Sequence, residues 1–119
     1  MTPEEILSYP PKILTQEQRE HYFEFGFVGI KDLVPSETLK IIKKVTSEFV
    51  DKSREVTESN NVFDIGPGHS YENPVLRRLK SPDENHEEYW NFSKGLMADV
   101  ASDLVGPNVT FHHLSLIHI

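Results

Sequence analysis

Six histidines and nineteen Asp and Glu residues make up this chain's stock of metal-holding and proton-moving groups, and there is no cysteine. Without cysteine there is no disulfide, no thiolate nucleophile and no Cys-type zinc site. Two imidazoles and one carboxylate on a single face could still hold a redox metal with coordination positions left open. The one His-x-carboxylate spacing is His86-Glu87-Glu88. It follows Ser81-Pro82-Asp83-Glu84, which combines a capping hydroxyl, an early proline and an acid at the third position, and so predicts the first turns of a helix. Positions two apart on a helix point about 200° away from each other. His86 therefore reads as a helix-surface residue and not as half of a chelate.

The other histidines offer less. On a strand, His112 and His113 face opposite sides of the sheet. Adding His118 gives a crude three-imidazole set of the kind zinc accepts, with nothing but spacing behind it. His69 sits in the turn cluster Gly66-Pro67-Gly68-His69-Ser70 and reads as an exposed loop residue. That cluster has neither the lysine-bearing spacing nor the following helix of a phosphate-cradling loop.

The elements that must position these groups are well punctuated. Thr2-Pro3-Glu4-Glu5 is a capping signal for a short helix that stops at Pro10-Pro11, so residues 1–13 read as an arm draped over something else. Thr15 with Gln18 is a capping box for a helix over about 15–25, and Gly26 stops it. Phe27-Val28-Gly29-Ile30 then predicts a short strand. Pro35-Ser36-Glu37 opens a helix over about 36–55, whose Leu39, Ile42, Val45 and Phe49 form one apolar stripe with Ile41 beside them. Its Lys40, Lys43, Lys44 and Lys52 are either a solvated helix back or a face for an anionic substrate.

Val62-Phe63-Asp64-Ile65 predicts a short strand, and Pro74 to Lys80 an extended segment. There Val75, Arg77 and Leu79 would share one side and Leu76, Arg78 and Lys80 the other. A third helix is predicted over about 82–105, with Tyr89, Phe92, Leu96, Val100 and Leu104 as its buried stripe, Trp90 and Met97 widening it, and Gly106-Pro107 as its stop.

Bulk properties bound the function. A chain of 119 residues suits one small domain. Net charge is −7, and no basic cluster exceeds Arg77-Arg78, which disfavours a nucleic-acid partner. No apolar run approaches the ~18 residues of a membrane span. The acidic start lacks the apolar core of a signal peptide, so the expectation is a cytoplasmic protein.

Residues 14–37, LTQEQREHYFEFGFVGIKDLVPSE, resemble the opening of the phytanoyl-CoA dioxygenase-like proteins, with Gln18, Phe23, Gly26, Phe27, Ile30, Leu33, Val34 and Pro35 in the matching places. Leu104 to His113, LVGPNVTFHH, resembles the helix stop and first core strand of the same family. The resemblance implies an Fe(II)- and 2-oxoglutarate-dependent oxygenase that hydroxylates a small aliphatic substrate. It also implies an α+β fold, in which a helical layer packs outside a double-stranded β-helix (jelly roll).

By the same resemblance Arg77, with Arg78 as its alternate, is the candidate cation for the carboxylates of 2-oxoglutarate. His113 lines the co-substrate pocket. The family's iron ligands are not identifiable in this chain, so residues 14–113 read as the N-terminal part of an oxygenase domain, inactive by itself. Leu114 to Ile119, LSLIHI, departs from the family's His-His-Ser-Lys strand and looks like translated sequencing-adapter read-through, so 114–119 reads as a non-native tail. The alternative from another class is a non-catalytic helical interaction module.

Overall fold

The computed structural model describes residues 1–117, which divide into two compact units. Along the chain run α1 (Pro3–Ser8), α2 (Gln16–Phe25), α3 (Ser36–Ser53), β1 (Phe63–Ile65), β2 (Leu76–Lys80), α4 (Pro82–Asn85), α5 (Glu87–Phe92), a wide helical turn over Ser93–Met97, α6 (Ala98–Val105) and β3 (Ser115–Ile117). The architecture is mixed: helices with an antiparallel sheet in the order β1-β2-β3. No described helix is long and apolar enough to cross a membrane.

The first unit holds Met1–Pro35 and Phe92–His112, and in it α1, α2 and α6 pack on one another. Both predicted capping boxes are present. The Thr15 hydroxyl accepts the Gln18 N–H at 3.1 Å, while the Gln18 side-chain oxygen accepts the Thr15 N–H at 2.9 Å. Thr2 and Glu5 do the same for α1. Gly26 ends α2 in the left-handed region at φ 80°, its N–H donating to the Tyr22 carbonyl at 2.8 Å. A Cβ there would meet nothing within 4 Å, so conformation and not space calls for glycine.

Residues 1–13, read as an arm, pack within this unit, where Ile6 and the following Leu14 are both buried. The strand expected over Phe27–Ile30 does not form. Aromatic and β-branched residues favour a strand only where a neighbouring strand supplies the ladder, and none is paired with this segment among the described residues.

The second unit holds Ser36–Asn91 and, among the described residues, 113–117. Its core is Val45, Phe49, Leu79 and Tyr89, with Ile42, Val62, Phe63, Leu76 and Leu114 packed around them. Part of the predicted α3 stripe is therefore right, but Leu39 and Ile41 are each 42% exposed. Length explains this: 18 residues of helix run about 27 Å, whereas the five-residue β2 runs about 17 Å and cannot cover all of it.

Side-chain alternation on β2 also departs from expectation. Asp64 pairs with Arg78 and Ile65 with Leu76, which leaves Arg77 as the extra residue of a β-bulge. The bulge shifts the phase of the strand, so Leu76 and Leu79, three apart, both reach the core.

The single helix expected over 82–105 is broken twice. Ser81 sits in the left-handed region at φ 45° and its hydroxyl makes no capping bond. His86 is extended, at φ −155° and ψ 129°, and its Nδ1 accepts the Glu88 N–H at 3.1 Å, so it closes α4 and starts α5. Its ring also lies 6.3 Å from that of Phe49, so His86 is half-buried and capping, not the free surface residue the sequence suggested. Gly95, at φ −91° and ψ −109°, interrupts the helical backbone again. Each break resets the helical phase, which is why Trp90 and Met97, expected in the core, are 39% and 38% exposed.

His69 is likewise a correction. It is half-buried, its Nδ1 accepts the Val75 N–H at 2.8 Å, and its Nε2 lies 2.8 Å from the Ser53 carbonyl. A carbonyl can only accept, so the ring is the neutral Nε2–H tautomer. It ties the end of α3 to the approach to β2. His69→Ala should lower stability by about 1–3 kcal/mol, because it strands the half-buried Val75 N–H, while the Ser53 carbonyl keeps the Val56 N–H at 3.0 Å. Urea denaturation of the two proteins side by side measures it, and a loss under ~0.5 kcal/mol would mean that water replaces the ring at no cost.

Candidate functional site

The two residues expected to touch a co-substrate lie at opposite ends of β2. Arg77, the bulged residue, is exposed, and its Nη2 donates to Asp64 Oδ2 at 2.8 Å. Arg78 points its Nε at Ser115 Oγ, 2.8 Å away on β3. His113 precedes β3 and is exposed; the strand expected to carry His112 and His113 begins only at Ser115. The Leu114 carbonyl accepts the Ser81 N–H at 3.1 Å, so His113 meets the sheet at the α4 end of β2. Arg77 lies four to five strand positions away, on the order of 15 Å. One small ligand does not bridge that span.

The remaining candidates are mostly committed elsewhere. His86 spends Nδ1 on the Glu88 N–H and His69 spends both ring nitrogens on backbone. His118 lies outside the described residues. Among the described residues no group of three or more His, Asp or Glu side chains converges closely enough to hold a metal ion. Of the α3 lysines, Lys40 pairs with Glu37 at 3.0 Å and Lys52 places its Nζ 5.3 Å from the centroid of the Phe49 ring. Lys43 and Lys44 stand exposed in solvent.

The densest convergence of charge was not picked out in the sequence at all. It is Asp103 on α6 with Arg19 on α2, both buried in the first unit. Asp103 Oδ1 accepts the Lys12 N–H at 2.8 Å, and Oδ2 accepts those of Ile13 and Leu14 at 2.8 and 2.9 Å. Arg19, 1% exposed, donates from Nε to the Asp103 carbonyl at 2.8 Å and from Nη2 to the Ile6 carbonyl at 2.5 Å. Its Nη1 reaches the Tyr9 carbonyl at 3.0 Å and Gln16 Oε1 at 3.1 Å. A signal for it existed: Asp103 falls on the apolar stripe of its helix, between Val100 and Leu104. A carboxylate on a buried face needs partners waiting there.

Electrostatics decides what these groups can do. Burial alone would raise the Asp103 carboxyl, but the N–H groups of Leu14, Lys12 and Ile13, helped by the Arg19 charge, outweigh it and hold the group below the usual carboxylate range. A carboxylate whose lone pairs are taken by three backbone donors is a brace, not a general base. Asp64 is also lowered, first by the hydrogen bond from Arg77, against some desolvation, with smaller help from Ser59 and Lys80.

Two outcomes are expected. Asp103 is charged more readily folded than unfolded, so its contribution to stability is whole above the unfolded value near ~4 and is lost as pH falls through the lower folded value. Asp103→Ala should cost about 3–5 kcal/mol at neutral pH, since it orphans three donors beside a buried guanidinium. Its unfolding midpoint should also change less than the native protein's between pH 6 and pH 2; parallel curves would refute the assignment. In Arg77→Met, the Asp64 carboxyl should titrate at higher pH than in the native protein, as read from its 13C shift. Comparison with family models, with curated proteins and with solved structures finds no match for this chain.

Proposed function

We propose that residues 14–113 are the N-terminal part of an Fe(II)- and 2-oxoglutarate-dependent oxygenase of the phytanoyl-CoA dioxygenase-like kind. In this reading they form the helical layer outside a double-stranded β-helix, in an enzyme that hydroxylates a small aliphatic substrate. The observation that carries the proposal is the run from Leu14 to Pro35, whose family-like residues include Gln18 of the capping box and Gly26 of the left-handed helix stop. The antiparallel β1-β2 ladder is compatible with the start of such a sheet.

Among the described residues, no cluster of side chains fits the iron. The chain's one His-x-carboxylate pair is used up in capping α5, because Nδ1 of His86 already accepts the Glu88 N–H. The reading therefore assigns the metal ligands to sequence beyond His113. Arg77 and His113 remain candidate co-substrate contacts only if that sequence draws the two ends of β2 around one ligand.

A second reading, a non-catalytic interaction module, is favoured by one observation. Each unit has an interior of its own: Asp103 and Arg19 in the first, Val45, Phe49, Leu79 and Tyr89 in the second. Buried groups satisfied in this way do not wait for a metal to order them.

Long-read sequencing of the source locus across the codon for His113 separates the two. The oxygenase reading expects the frame to continue into a Ser-Lys strand and then a His-x-Asp. It also expects the longer product to release succinate from 2-oxoglutarate only with Fe(II), while the 119-residue chain releases none. A genuine stop after Ile119 would sink it and leave the module. The same sequencing decides whether residues 114–119, of which Ser115–Ile117 pair with β2, belong to the native chain.

A further inference from the structure

The outer face of α2 carries a feature that the oxygenase reading does not use. On a helix of 3.6 residues per turn, Glu17, His21, Glu24 and Phe25 fall on one side with Glu20 at its margin, and Arg19 falls opposite. The His21 ring lies 4.6 Å from that of Phe25 and 5.2 Å from that of Phe27, edge-on to the latter, which makes a ledge of three rings. Phe25 is 56% and Phe27 64% exposed. Alongside runs a shallow groove of about 370 Å³, lined by Glu17, Gln18, His21, Val28 and Gly29.

We propose that this ledge and groove bind an arginine-bearing segment of a partner protein. Charge complementarity selects the occupant. Glu17, Glu20 and Glu24 make no ion pair among the described residues, and the one cation of α2, Arg19, is buried with its donors spent on the carbonyls of Ile6, Tyr9 and Asp103. A guanidinium laid on the exposed Phe27 ring gains cation–π and stacking contact, and its remaining N–H groups face the Glu17 carboxylate. Arginine fits better than lysine because a planar fork can stack and donate at once. Gly29 leaves open space where any side chain would project, which lets the partner's backbone come close. The reading is independent of whether the chain belongs to an oxygenase.

The test is an amide-shift NMR titration of the whole 119-residue chain with the blocked peptide Gly-Ser-Arg-Gly-Ser. Its lysine and citrulline counterparts are titrated in parallel. Saturable shifts at His21, Phe27 and Gly29 are expected, with the citrulline peptide at least tenfold weaker and the lysine peptide several-fold weaker. Glu17→Gln and Phe27→Ser should each weaken the arginine peptide at least fivefold. Both side chains are exposed, so the thermal midpoint should not move and unfolding cannot be mistaken for lost binding. Three results would overturn the proposal: shifts spread evenly over the acidic surface, equal binding of the citrulline peptide, or loss of the site in a longer gene product whose added sequence covers Phe27.

Discussion

The first unit depends on one carboxylate. Without Asp103, the stretch Lys12-Ile13-Leu14 would leave three successive backbone N–H groups without a partner, two half-buried and that of Leu14 fully buried, since no strand or helix is there to receive them. A buried unsatisfied donor costs about as much as a whole side chain's worth of packing, so Asp103 stabilises the path of the chain against α6 at this point. Arg19 performs the matching task for acceptors. Its guanidinium takes the carbonyls of Ile6 and Tyr9, one in the last turns of α1 and one just past its end, together with the Asp103 carbonyl. Acid and base serve here as a donor sink and an acceptor sink for irregular backbone, and their mutual charge is secondary.

The second unit solves a similar problem with fewer charges. Its sheet is too short to cover α3, and three devices make up the difference. The bulge at Arg77 turns two leucines three positions apart toward the same core. His69 bridges the α3 end to the β2 approach through two backbone bonds. The hydroxyls of Thr46 and Tyr89 meet each other within an otherwise apolar contact, which satisfies both buried groups at once. Each device trades an ideal element for a better-filled interior.

This explains what could be read from the sequence and what could not. Capping boxes at Thr2 and Thr15, the stop at Gly26, the start of α3 and the strand at Phe63 are governed by residues within a few positions of each other, and all were legible. The break at His86, the bulge at Arg77 and the exposure of Trp90 depend on where Phe49 and β1 stand, which no local pattern contains. The strand expected at Phe27–Ile30 failed for the same reason, because a ladder needs a partner that the described residues do not provide. Asp103 was legible in principle as a carboxylate on an apolar stripe. Arg19 was not, because nothing in a run of Gln, Glu and Arg distinguishes the one that turns inward.

Histidine shows how this bears on function. An imidazole offers a metal or a proton one free lone pair, and a neutral ring has only one to give. At His69 that lone pair holds the Val75 N–H, and at His86 it holds the Glu88 N–H. Binding a metal at either nitrogen would first cost the hydrogen bond and then the local backbone geometry that the bond maintains. His21 is the contrasting case: its ring stacks with Phe25 and Phe27 and neither nitrogen is engaged with another described residue. Among these three rings, then, the one with its polar atoms unspent is also the one beside uncompensated carboxylates and exposed aromatic surface. Recognition at that face needs no rearrangement of the fold, whereas chemistry at the other two histidines would have to begin by undoing it.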